Sequence, residues 1–456
     1  MRVRDRTIGV KFWLLWLCWP GSALAHASDQ GIVLLLPTGA YISAGVATVV
    51  ATVLALFVLP ERAVRSLFAW RPINPLRLEN VQIVTSLLSF VLMGFLVWLG
   101  MTGPRDPLSS LMTLGFWTLG WVLVVSLSGL IGNPWAWINP WTGLYRVLGP
   151  APVARLPNLG WWPAIAMMLG FAAFLLADIA PSDPTRLARA VGIYWLVTFA
   201  GLLIFGPEWL RRCELGHAIL GAYSRLAVFG RAGVGVPGWQ IAGRSWGIGA
   251  GLFALVLLGA GSFDGINETF WWLARIGVNP LEFPGRSAVV AQNLIGLAAA
   301  VLLLIVSFAL TLRLGLMLAP SSRGLAQIFG PLALSLLPIA LAYHMAHYLT
   351  SFLVEIQYVL GALNDPLARG ADLLGLAPFR VTTGFFNQIA SMRAIWLSQA
   401  GLVVLGHVWS VLLAHRMALD LFDGHRRAGL ATLPLSLFMI AYTFLGLWLL
   451  AAPRGA

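Results

Sequence analysis

The sequence predicts an all-α protein: a polytopic membrane helix bundle of about ten transmembrane helices that follow a cleaved signal peptide. Three observations carry this expectation. Apolar residues make up 59% of the chain, charged residues 10%, and the mean hydropathy is +0.84, a balance that soluble domains do not show. Apolar runs of about 20 residues recur along the chain, the length a bilayer core requires. Arginines concentrate in alternate loops, as they do on the cytoplasmic side of multipass proteins.

Taken in order, residues 1–25 read as a secretory signal. Arg2, Arg4, Arg6 and Lys11 form a positive opening, "FWLLWLCWP" a short apolar core, and "SALA" a small-x-small cleavage pattern. Cleavage after Ala25 would leave His26 at the new N-terminus and Cys213 as the single cysteine, so no intrachain disulfide is expected. The rest, 26–456, reads as one transmembrane domain. Helices are expected at 39–60, 81–103, 111–132, 161–180, 190–206, 248–268, 288–312, 327–357, 395–418 and 435–453. With the mature N-terminus outside, the inner loops hold sixteen arginines against six acids, and the outer side nine against ten. This places both termini in the periplasm and the chain in the bacterial inner membrane, with the lipid bilayer as its partner. The net charge of +12 then faces cytoplasm and anionic lipid. No basic face with stacking aromatics is left for nucleic acid.

The inner loops "GNPWAWINPWTGLYR" and "PEWLRRCELGHAILGAYSRLA" are expected to lie in the headgroup layer, the first through its tryptophans, the second as an amphipathic helix. The outer loops carry Asp264, Glu268 and Glu282, then Asp365, Arg369, Asp372 and Arg380. They read either as lids over the bundle or as turns, and Asp365 before Pro366 is a common turn opener.

The stretch "LPIALAYHMAHYLTSFLVE" is the most informative. At 100° per residue, His344, His347, Ser351, Glu355 and Tyr358 fall on one face, with Tyr348 beside them. Polar groups facing lipid are costly, so this face must meet another helix or a wet cavity. Pro331 and Pro338 are expected to kink the helix and open room. Counted from the expected helix ends, His407 on the next helix lies at the same depth, about 20 Å below the outer surface. A cluster of His344, His347 and His407 would bind zinc or copper, relay protons, or simply hydrogen-bond neighbouring helices. His26, with a free α-amine, would be a further copper ligand. Glu355 and Asp365 are the candidate proton acceptors beside a metal-bound water. Asp178, Asn293, Thr85 and Ser86 are expected to make interhelical hydrogen bonds.

The stretches "NPWTGLYR", "EWLRRCELGHAILGAYSRLA", "AYHMAHYLTSF", "DPLARGADLLG", "GHVWSVLLAHRMALDLF" and "AYTFLGLWLL" resemble a group of multipass bacterial membrane proteins, some of them labelled fenitrothion hydrolase. The resemblance covers most of the mature chain and is densest after residue 130; the Ala25-His26 step matches the start of the group's mature chains. It implies hydrolysis of phosphotriesters and carries over no catalytic residues. Two main functions stay open. The first is a metal-dependent hydrolase of small apolar phosphotriester-type substrates with a periplasm-facing histidine site. The second is a transporter or copper-handling protein; a scaffold with structural histidines is the third. The chain has no HExxH, no paired-carboxylate motif and no G-x-S-x-G elbow, and no internal inverted repeat.

Overall fold

The structure, a computed structural model, describes residues 36–74, 78–282 and 285–454. The expected signal peptide and His26 lie outside the described residues. The all-α expectation holds. Among the described residues ten helices organise the fold: α1 (Thr38–Leu56), α2 (Glu79–Thr102), α3 (Leu111–Leu130), α4 (Trp162–Ala177), α5 (Pro184–Phe205), α6 (Ile248–Ile266), α7 (Val290–Leu318), α8 (Leu325–Asn364), α9 (Ile389–Leu421) and α10 (His425–Ala451). Nine of them are long and apolar enough to cross a membrane, and α4 is apolar but shorter. At 1.5 Å per residue α4 still reaches about 24 Å. Two three-residue strands, β1 (Trp70–Pro72) and β2 (Gly233–Gly235), pair antiparallel.

Leu36, just before α1, packs in one cluster with Leu447 and Leu449 near the end of α10. Both ends of the described chain therefore lie at one end of the bundle, termed here the first face. Alternating helices give this only if the crossings are even in number, so α4 counts as a crossing. At the first face Thr269, just past α6, pairs with Arg454. The arginine-rich loops gather at the opposite, second face.

Two helices form the centre. Within their apolar windows α6 is 72% buried and α8 83%, against at most 50% for the other spans. Small residues let α6 be approached from several sides. A Cβ on Gly251 would come within 2.9 Å of the Gly330 backbone, and one on Gly259 within 3.1 Å of Val301. Helix α8 breaks between Leu325–Leu334 and Leu337–Asn364, as the prolines led us to expect. Pro338 has no N–H to continue the ladder.

Helix α3 departs from any sequence expectation. Its middle, Gly115–Val124, is wound as a π-helix. The wider turn lengthens the hydrogen-bond step to five residues, a feature often found at functional sites.

The second inner loop is corrected by the structure, for it docks into the bundle instead of lying along its rim. Helix Leu215–Tyr223 places Ala218, Ile219, Leu220, Ala222 and Tyr223 in the main core, and Ser128 donates to the Leu220 carbonyl at 2.8 Å. The buried Glu214 makes this possible. Its carboxylate accepts from Trp135 Nε1 and the Tyr194 hydroxyl, both at 2.8 Å, and from the amides of Gly216 and His217 at 2.6 and 2.5 Å. A buried carboxylate is tolerated when its lone pairs are occupied in this way. In the tryptophan loop, Thr85 and Ser86 of α2 donate to the carbonyls of Trp137 and Asn139 at 2.7 and 2.6 Å.

Candidate functional site

The site is built where the last turn of α6 faces the middle of α8. Asp264, two residues from the end of α6, accepts a hydrogen bond from the Tyr348 hydroxyl. His347 Nε2 lies 3.3 Å from the same carboxylate oxygen. A carboxylate accepts, so Nε2 carries the hydrogen, and in the neutral ring Nδ1 is then a lone pair. That Nδ1 is buried and has no partner among the described residues. Tyr343 stacks on the His347 ring at 5.7 Å and 16°, and its hydroxyl is buried with no partner among the described residues.

His344 turns to α3. Its Nε2 lies 3.0 Å from the Trp121 carbonyl, so it donates there. The Trp121 ring stands edge-on to the imidazole, with centroids 4.9 Å apart. Trp121 belongs to the π-helix, which also supplies Thr118. Its hydroxyl donates to Glu355 at 2.6 Å. The polar stripe of α8 thus meets the widened turn of α3 at two points.

Asp264, His344, His347, Tyr343 and Tyr348 line a cavity of about 30 Å³ whose other walls are mainly apolar. It has room for about one or two waters. Tyr223, from the helix that enters at the second face, forms part of its wall, 6.4 Å from the His344 ring between centroids.

The expected residues meet different fates. His344 and His347 share the cavity, as their spacing suggested. His407 does not join them, which corrects the expected three-histidine cluster. Gln399 donates to the Ala346 carbonyl at 2.8 Å, and a Cβ on Gly406 would meet Ala342 at 2.5 Å and the Pro338 carbonyl at 2.8 Å. This register puts His407 level with Pro338 and Ile339, about five residues or 8 Å below His344. Gly406 occupies the side facing α8, and His407, 100° further round, faces Tyr442 and Gly446 of α10. Its Nδ1 lies 2.8 Å from the Val403 carbonyl.

Glu355 lies about 12 Å along the axis from His347 and is not among the cavity residues. Asp365 closes a turn, accepting from the amides of Arg369 and Gly370 at 3.0 and 2.6 Å. The Arg369 amide foremost holds its carboxyl below the usual carboxylate range. Among the described residues no three His, Cys, Asp or Glu side chains are grouped to hold a metal ion. The donor set for a zinc or copper centre is therefore not assembled by His344, His347 and His407. Asp178 and Asn293 serve as expected. Asp178 takes both Nε and Nη2 of Arg186 at 2.7 Å, and Asn293 donates to the Leu176 carbonyl at 3.1 Å.

Asp264 is the residue that sequence reasoning placed wrongly, in an outer loop. One signal could have found it: it is the single acid inside the apolar run "LFALVLLGAGSFDGI", and an acid inside a membrane span is a functional candidate by its cost alone. The contribution of Trp121 through its carbonyl left no signal in the sequence.

The fold and this centre define a multipass membrane protein with ionisable groups held inside its helix bundle. The chain matches no protein family, no curated protein and no solved structure.

Proposed function

We propose that the protein is a proton transporter, and that Asp264 and His347 are the groups that take up and release the proton. One observation carries this reading: a carboxylate 3.3 Å from an imidazole, at a water-sized cavity between the two most buried helices. Ionisable groups are costly there, and a proton relay is one of the functions that such groups mark. Neutral His347 donates from Nε2 to Asp264 and can accept a proton at Nδ1; Tyr348 holds the carboxylate in place while that charge comes and goes. The arginine-rich second face supports a cytoplasmic assignment, which puts both ends of the described chain on the periplasmic side of an inner membrane. Reporter fusions after Arg427 and after Arg454 should then report opposite sides.

The test is proton uptake by the full-length protein in liposomes, read with an internal pH dye. Wild type should take up protons down an imposed gradient, and Asp264→Asn should not. Equal uptake by both would remove the centre from any such role.

A second reading has its own support. An imidazole oriented by a carboxylate, with Nδ1 free beside room for a water, is also the arrangement of a general base. Hydrolysis of an apolar phosphotriester, the activity implied by the resemblance, would use it without a metal. The cavity is far smaller than such a substrate, so this reading requires the bundle to open. Release of the phenol from fenitrothion by purified wild type, lost in His347→Gln, would favour it; no release would exclude it.

A further inference from the structure

The inner loop between α5 and α6 gathers positive charge that no acid answers. Arg225 stands just past the entering helix Leu215–Tyr223, where the chain leaves the core for the second face. Its guanidinium lies over the Trp246 ring, 4.4 Å from the centroid. Arg225 is half-buried and makes no side-chain hydrogen bond or ion pair among the described residues, yet none of its nitrogens is sealed off. Burial, and then the nearby charge of Arg244, push its guanidinium down from the usual value. Burial first, and then Arg225, Arg231 and Arg211, hold the His217 imidazole below the usual histidine range. Arg231 and Arg244 are exposed and likewise have no ion pair among the described residues. Three acids of this face are engaged elsewhere. Glu208 takes Arg211 and Arg212, Asp420 takes Arg65 and Arg416, and Glu214 is filled by its four donors.

Both partners of the stack are held in place. Gln240 donates to the carbonyls of Ser224 and Ala227, on either side of Arg225, at 2.8 and 3.3 Å. Trp246 Nε1 donates to the Ile241 carbonyl at 3.1 Å. An arginine stacked on an aromatic ring uses its flat face and keeps its N–H edges free. Those edges match two oxygens of a phosphate. A guanidinium taken partly out of water without an acceptor is costly, so an anion at its edge would offset that cost. The border of the patch shows which kind of anion fits. The amides of Val228 and Phe229 donate to the carbonyls of Leu130 and Ile131 at the end of α3, at 3.2 and 2.9 Å. This sets apolar side chains beside the arginines, with Leu130 45%, Ile131 54% and Phe229 54% exposed. Free phosphate gains nothing from such a border, whereas a phospholipid brings a phosphate and acyl chains together.

We propose that Arg225, stacked on Trp246 and flanked by Arg231 and Arg244, binds the phosphate of an anionic phospholipid at the second face. The site is independent of the proton reading of the Asp264–His347 centre, and either stands if the other fails.

Native mass spectrometry of the full-length protein tests it, with phosphatidylglycerol or phosphatidylcholine of the same acyl chains titrated into the detergent solution. The wild type should bind its first phosphatidylglycerol about tenfold or more tighter than its first phosphatidylcholine. An excess of inorganic phosphate should leave that lipid bound. Arg225→Gln should remove the preference, whereas Arg155→Gln, at an exposed arginine of the other long inner loop, should keep it. Equal affinity of the wild type for the two lipids would overturn the proposal, and this arm needs no variant to fold. A preference that survives Arg225→Gln, or that both variants lose alike, would also overturn it. Displacement of the lipid by inorganic phosphate would assign the arginines to a free anion and overturn the lipid site.

Discussion

Tyr348 donates its hydroxyl hydrogen to the carboxylate of Asp264, tying the last turn of α6 to the middle of α8. The two residues are 84 apart in sequence and join the two most buried helices of the bundle. His347, one residue before Tyr348, reaches the same carboxylate. Asp264 therefore anchors two donors at once, and its replacement should be felt by both.

Asp264→Leu removes the acceptor and leaves the Tyr348 hydroxyl and His347 Nε2–H buried without one. Asp264→Asn keeps a carbonyl oxygen in the same place. The leucine variant should be less stable than the asparagine variant by about 1–3 kcal/mol. Unfolding of both in the same detergent measures it, and equal stability would mean that neither donor depends on this carboxylate.

The Thr118–Glu355 hydrogen bond should show as a coupling energy. Glu355 has further interactions, so the single variants will each lose more than this one contact. A double-mutant cycle of Thr118→Val and Glu355→Gln isolates it. A hydrogen bond to a charged group gives an expected coupling of about 1–3 kcal/mol. Additive losses would show that the π-helix and the stripe of α8 are not linked here.

Glu214 holds the entering helix Leu215–Tyr223 by four hydrogen bonds. Glu214→Ala leaves Trp135, Tyr194 and two amides without their acceptor, a cost of about 1–3 kcal/mol for each donor that stays buried. Cys213, buried and free in the folded chain, provides the readout. Its reaction with a maleimide should be slow in wild type and much faster in the variant. Unchanged labelling would mean that the helix stays docked without Glu214.

Asp178 should make stability depend on pH. The paired hydrogen bonds from Arg186 hold its carboxyl below the usual range, helped by the Ala180 amide. A carboxyl with a lowered folded value contributes stability above the ordinary carboxylate range and loses it as pH falls through the lowered one. The melting temperature of wild type should therefore exceed that of Asp178→Asn near neutral pH, with the gap closing under acid. Arg186 is 46% exposed, so the gap should be small and should shrink in high salt. A gap that stays constant down to strong acid would assign the difference to packing.

The sequence by itself determined the all-α bundle of long apolar helices, the break in α8 and the face on which His344, His347 and Glu355 stand. These follow from hydropathy, proline chemistry and helical period, which act within a single segment. Only the tertiary structure decided what those residues meet. Equal distance from the helix ends put His407 beside His344, but Gly406 lets α9 approach α8 closely at a register that lowers His407 and turns it to α10. Likewise, the inner helix Leu215–Tyr223 carries an amphipathic pattern that suits a membrane surface, and the bonds accepted by the buried Glu214 draw it into the core instead. Asp264 and the Trp121 carbonyl became part of the site through the stagger of α6 against α8 and the π-turns of α3. Stagger, rotation and backbone winding arise from contacts between segments far apart in the chain, and no single segment encodes them.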